Sequence, residues 1–309
     1  MNVKKANWMF LLIIISHAAL SLLASCIPVL NSLLDNVMLN VLISEITIWL
    51  PAVLFLVATK TRVTTFCRLK RVHISTALMT VLYTMLLEPL VIVVNAFSML
   101  FTDNAVAGLG EQIVAAPFWV MLLGIAVYGP FSEELAFRGV LHQSYRQQGN
   151  SWKAMLLSSL LFGLMHMNLN QACYAFVMGV ALALLVEATD SMIPAFIAHF
   201  SVNGLSTVMM FAMDKMSASG VGELMAETQS SLNAQQLLLC ICLYVTIATV
   251  CTPLAGCVLV WIAGREGHTE DLRNLWRSRR VKNGKLLSIP LAMGILICVA
   301  MIVLQIILQ

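Results

Sequence analysis

The residues best suited to chemistry lie between positions 132 and 203. In Ser132-Glu133-Glu134-Leu135-Ala136-Phe137-Arg138-Gly139, two adjacent carboxylates precede an arginine. On a helix Glu134 and Arg138 are four apart and can pair on one face, which holds Glu134 ionised. Glu133 then points about 100° away. It is left without a cation, faces a cavity and suits general base or acid work. His166 follows in Phe162-Gly163-Leu164-Met165-His166, and His199 and Asn203, four apart, share one face of a later helix. This set could do two things. A glutamate with a histidine can orient and deprotonate water, while a histidine and an asparagine donate to the tetrahedral oxyanion of peptide hydrolysis. Alternatively, Glu133, His166 and His199 could hold zinc, since catalytic zinc accepts two His and one carboxylate with an open position. Zinc is therefore a candidate cofactor, though the residues do not demand one. The chain has no HExxH and no GxSxG, which excludes the single-helix zinc protease and the serine hydrolase of that type.

The elements that position these residues must be membrane helices. Of 309 residues, 60% are hydrophobic and 11% charged, with mean hydropathy +0.89. A soluble domain carries roughly 25% charged residues. In lipid every backbone polar group must be satisfied internally, so spans are helices or a closed barrel. The apolar runs are about 20 residues long and unbroken, as helices require. Barrel strands would be about 10 residues and alternating. The expected fold is an all-α polytopic bundle with spans at 8–30, 41–59, 74–101, 114–131, 153–167, 171–187, 192–213, 237–263 and 286–308. Residues 1–113 supply helices one to three, 114–213 a core of helices four to seven, and 214–309 the last two. The fourth helix should run on past 131. Glu88-Pro89 predicts a kink or tilt in the third, with Glu88 bonding a freed backbone group.

Of the 18 Lys and Arg, Lys215 alone falls in an outer loop when the N-terminus is placed inside, and Arg138 lies within or just below the fourth helix. That bias predicts an inside N-terminus and an outside C-terminus. The basic loops 60–73 and 265–285 act as topology signals and could also meet anionic headgroups. Loop 214–236, with Asp214, Glu223 and Glu227, reads as a polar connector. A net charge of +3 gives no reason to expect a nucleic-acid partner. The eight cysteines read as packing residues, with no CxxC pair. Leu23-Ala24-Ser25-Cys26 resembles a bacterial lipoprotein processing site, but the apolar run continues through Leu30 and reads as an uncleaved first helix. His17 reads as a packed helix residue, and His142, Glu187 and Asp190 as boundary residues near the inner surface. Convergence of the set is the hardest step. Glu133 sits near the inner end of its run, His199 about 10 Å up its own and His166 roughly 20 Å up. They meet if the fifth helix starts below the membrane plane.

Ionisable side chains inside spans cost about 2.5–3.5 kcal/mol on insertion scales, so each is a functional hypothesis. A purely structural ion-pair network is the alternative. At these residues the sequence resembles the CAAX protease and bacteriocin-processing (CPBP, also called Abi) family of intramembrane endopeptidases. It carries EExxxR as Glu133-Glu134 with Arg138, FxxxH as Phe162 with His166, and HxxxN as His199 with Asn203, in that order on separate helices. The resemblance spans roughly residues 114–210. It implies that Glu133 and His166 activate water, that His199 and Asn203 stabilise the oxyanion, and that Glu134 and Arg138 orient. It leaves open a metal-dependent or a metal-free glutamate mechanism. The implied partner is a hydrophobic or lipid-modified peptide substrate in the bilayer, while the Leu23–Cys26 stretch and the small outer loops suggest a bacterial chain and hence a bacterial plasma membrane. Eukaryotic members cut the last three residues from prenylated proteins, but nothing in this sequence shows a prenyl pocket. A catalytically idle scaffold or regulator is a competing reading. So is a proton-coupled transporter, against which stands the lack of an inverted repeat.

Overall fold

The computed structural model describes residues 3–102, 104, 107–217, 234–281 and 284–308, and these form helices and no strand. The membrane helices are α1 Val3–Cys26, α2 Val37–Ala58, α3 Ile74–Ser98, α4 Phe118–Arg146, α5 Ser151–Met165, α6 Leu169–Thr189, α7 Ile193–Met216, α8 Gln235–Glu266 and α9 Ile289–Leu308. Eight of them are long and apolar enough to cross a bilayer. α5 has 15 residues, short of the roughly 20 that a span needs. The chain is an integral membrane protein. Its outer surface carries the apolar side chains that lipid requires, with Ile74 82% and Ile307 73% exposed.

Several boundaries differ from expectation, each for a local reason. The run 8–30 breaks at Ile27, which is extended because Pro28 follows and opens a short helix, Pro28–Leu34. Asn150 and Asn168 cap α5 and α6, accepting from Lys153 N at 2.9 Å and Gln171 N at 3.0 Å. α3 runs unbroken through Pro89, and Glu88 makes no hydrogen bond among the described residues. The connector expected over 214–236 lies mostly outside the described residues.

α4 is the hub. Its first half packs against α2 and α7, and its second half against α1, α5 and α6. Phe10, Ile13 and Ile14 of α1 meet Phe137 and Val140 of α4 and Phe162 of α5 in one core. A second core joins Leu182 and Leu185 of α6 to Ala195 and Ala198 of α7 and Ile262 of α8. α5 and α6 form a close hairpin. A Cβ on Gly163 would lie 2.6 Å from the Ala172 carbonyl, and one on Gly179 3.0 Å from Ser159. Only glycine permits that approach of backbones. Polar ties fasten the ends. Tyr145 donates to Asn7 at 2.7 Å, and Asn7 donates to the Leu286 carbonyl at 2.8 Å. Asn170 donates to Asn95 and Ser98, each at 2.8 Å.

Candidate active site

α4 is continuous but not uniformly wound. Leu123–Tyr128 and Leu135–His142 are π-helical, and the α-helical Gly129–Glu134 lies between them. A π turn bonds i to i+5 and frees or redirects carbonyls, and such turns recur at functional sites. Here side chains meet those carbonyls. Asn203 donates to the Ile125 carbonyl at 3.0 Å, and Gln143 to the Arg138 carbonyl at 3.3 Å. The single Ser132 hydroxyl lies 2.9 Å from the carbonyls of both Tyr128 and Gly129. The two glutamates therefore sit near the middle of α4, not at its inner end as the apolar run suggested. That removes most of the depth mismatch with His166 and His199.

Glu134 is fully buried, and one of its oxygens carries the site. Oε1 accepts from Arg138 Nη1 at 3.0 Å and from His199 Nδ1 at 2.9 Å. Arg138 also reaches the Gly179 carbonyl at 3.3 Å, and its guanidinium lies 4.3 Å from the centroid of the Phe162 ring. The expected pair is thus present, but Glu134 holds a histidine as well. The other imidazole nitrogen, His199 Nε2, is 3.4 Å from Glu133 Oε2. The ring lies between the two carboxylates. Adjacent helix positions about 100° apart can share it because its nitrogens face different directions. Glu134 Oε2 is buried and has no hydrogen-bond partner among the described residues. Leaving a buried carboxylate oxygen without a donor is costly, and such atoms mark sites that bind or react.

Phe162 is the pivot of the arrangement. His166 and His199 both stand edge-on to its ring, at 5.2 and 5.8 Å between centroids, and Phe137 does so at 5.3 Å. His166 Nδ1 lies 2.9 Å from the Phe162 carbonyl. A carbonyl only accepts, so Nδ1 carries the proton and the neutral ring presents Nε2 as an acceptor. Six of the seven expected residues, Glu133, Glu134, Arg138, Phe162, His166 and His199, form one connected group. Asn203 lies one turn from His199 on α7 but bonds Ile125 and no other member.

The sequence reading passed over Glu45. It lies inside α2, accepts from Ser132, and is within electrostatic range of Glu133. The cost of an ionisable group within a span, applied evenly, would have found it. Gly129 makes room for it: a Cβ there would lie 3.2 Å from Glu45 Oε1. The boundary reading of His142 and Glu187 is corrected. Both are buried, and His142 Nε2 is 2.9 Å from Glu187 Oε1. Arg146 reaches Glu187 and Asp190, each at 3.3 Å, and Arg68 and Lys70 also pair with Asp190. His17 is packed as expected, 3.0 Å from Thr47 Oγ1.

The zinc option can be tested against the donors. Glu133 and His199 are separated by a distance that one tetrahedral ion could bridge at ~2.1 Å to each. However, no group of three His, Cys, Asp or Glu is placed to hold a metal among the described residues. The Glu133, His166 and His199 triad does not fit a three-ligand site in this arrangement, and the chemistry below is derived from the side chains alone.

Comparison with known proteins supports the resemblance. Residues 115–205 match the family model described as type II CAAX prenyl endopeptidase Rce1-like, and all seven residues fall within that stretch. The chain is similar to the protein "Putative membrane peptidase YdiL" of Bacillus subtilis (strain 168), with 28% identity over 99 residues. The alignment covers 32% of this chain and 40% of that relative, so it spans less than half of either. No solved structure matches the chain.

Proposed function

We propose that this protein is an intramembrane endopeptidase that hydrolyses a peptide bond of a hydrophobic or lipid-anchored substrate. The observation that carries the reading is His199 held between two carboxylates, one tied to Arg138 and the other paired with no Lys or Arg.

Glu133 is the base. It takes a proton from water, while the Nε2 lone pair of His166 accepts the second hydrogen and orients the molecule. The hydroxide adds to the scissile carbonyl, and negative charge develops on the carbonyl oxygen. In that step His199 carries a proton on both ring nitrogens, Nδ1–H fixed on Glu134 and Nε2–H turned to the oxyanion, in the way a buried carboxylate orients a catalytic imidazole. The second N–H of the Asn203 amide is the other donor, the first being spent on Ile125. Preorganised donors of this kind need no reorganisation during the reaction and act in a low dielectric. Glu133 then passes its proton to the leaving amine, and the C–N bond breaks. Arg138 stays paired with Glu134 throughout. The orientation inferred from the basic loops puts the N-terminus inside, with cleavage on the cytosolic side of the bilayer. A reporter fused after Lys215 reads external under that topology, and an internal reading overturns it.

The test is membrane peptidomics of cells carrying wild type against Glu133→Gln at matched expression. Shortened membrane proteins or released peptides found only with wild type name the substrate and the cut. No difference with a folded variant moves the reading to a scaffold that regulates a partner. Loss of pH-coupled uptake instead would point to transport.

A further inference from the structure

Away from the glutamates, the loop after α2 and the last turns of α4 border an open cavity of about 680 Å³. Thr61, Arg62, Thr65 and Arg68 line one side, and Gln143 and Arg146 the other. The peptidase reading makes no use of it. Its wall is fixed by backbone and not by side chains alone: Met192 N donates to the Arg68 carbonyl at 3.0 Å and Ser191 Oγ to the Lys70 carbonyl at 2.6 Å. Asp190, at positive φ of 50°, turns the α6–α7 connection into place.

The charges around this cavity do not cancel. Arg68, Lys70 and Arg146 pair with Glu187 and Asp190, Asp271 acts on Arg68 from farther off, and Arg62 adds a fourth cation at the lining. Asp190 is shared among three of the cations, and Arg62 has no acidic partner among the described residues. The Arg68 guanidinium is held below its ordinary pKa, first by burial and next by the neighbouring Arg146, with Glu187 and Asp271 acting the other way. A site in which two guanidiniums still repel, with a third unpaired at its mouth, gains from an anion with several acceptor oxygens. A carboxylate accommodates one fork, whereas a phosphate offers acceptors to three. Phe66 lines the cavity and Val63 is exposed beside it, so apolar surface adjoins the charged surface.

We propose that this cavity binds the phosphate group of an anionic ligand through Arg62, Arg68 and Arg146, and that an anionic phospholipid of the basic-loop leaflet supplies it. The adjoining apolar surface and the attraction of juxtamembrane cations to anionic lipid favour that source over free phosphate.

The experiment follows the thermal midpoint of the purified full-length chain in neutral detergent. The probes are short-chain phosphatidylglycerol, short-chain phosphatidylcholine and inorganic phosphate. Wild type should show a saturable rise with phosphatidylglycerol and none with phosphatidylcholine. Arg62→Ala, which removes a side chain outside the ion-pair network, should weaken the apparent affinity about tenfold, or 1.4 kcal/mol. Arg62→Lys should fall between. An equal response to inorganic phosphate supports the phosphate site and overturns the lipid as its source. A response to phosphatidylcholine equal to that to phosphatidylglycerol, or identical curves for wild type and Arg62→Ala, overturns the site. Cleavage enters none of these readouts, so failure here and failure of the peptidase reading are separable.

Discussion

Around Glu134 and around Glu187, the same bundle neutralises buried charge in opposite ways. The first cluster is rich in acid: Glu45, Glu133 and Glu134 share Arg138 and the neutral-capable His199. It leaves one carboxylate oxygen without a donor, and neither Glu45 nor Glu133 pairs with a Lys or Arg. The second is rich in base, with His142, Arg146, Arg68 and Lys70 gathered on Glu187 and Asp190. Every acid there has at least two basic partners. Surplus carboxyl groups in a dry site supply a base for water. Surplus cations at the end of the bundle tie three connections together. The lesson is that burial of charge alone does not mark chemistry, whereas incomplete neutralisation does.

Substitutions can break that contrast. The largest effect expected is on rate. Glu133→Gln should lower cleavage about 10²–10⁴-fold, the usual worth of a general base, with an unchanged thermal midpoint. Equal loss of stability would make the first cluster structural like the second. Next, Glu187→Ala leaves buried His142 without its carboxylate and takes one of two acidic partners from half-buried Arg146, and should destabilise by about 1–3 kcal/mol, read as a fall in the midpoint of detergent-solubilised protein. Should the midpoint hold while cleavage falls, the assignment of roles is reversed. Gly163→Ala sharpens the picture by moving α5 against α6. Overpacking should cost about 1–3 kcal/mol and disturb His166 through Phe162, so rate and midpoint fall together. Glu270→Ala breaks an exposed pair with Arg273, at 2.6 Å. It should change neither readout, since exposed pairs contribute little.

Much of this was legible in the sequence. Apolar runs gave the helices because lipid leaves the backbone no other solution. The four-residue spacings gave Glu134 with Arg138 and placed His199 with Asn203. What could not be read was phase and partner. Periodicity assumes uniform winding, so the π turns of α4 and the sharing of His199 by adjacent glutamates were invisible. His142 and Glu187 were misjudged because each lies near the end of an apolar run. Their burial depends on α6 lying against α4, where Arg138 bonds the Gly179 carbonyl. Glu45 was passed over although its position inside a span was a sufficient signal.

The winding of α4 has a consequence for how the two clusters are joined. Glu134, Arg138, His142 and Arg146 recur every four residues. On a regular α-helix each such step overshoots a full turn by about 40°, so the last would be roughly 120° out of phase with the first. The π-helical Leu135–His142 turns more slowly over two of the three steps and takes up that drift. All four side chains can then face the α6–α7 side: Arg138 on Gly179, His142 and Arg146 on Glu187, Glu134 on His199. The wide turns thus set the register of a single polar stripe. Deleting one residue between 135 and 142 would restore ordinary winding and rotate the lower half of the stripe off α6, while leaving the glutamates where they are.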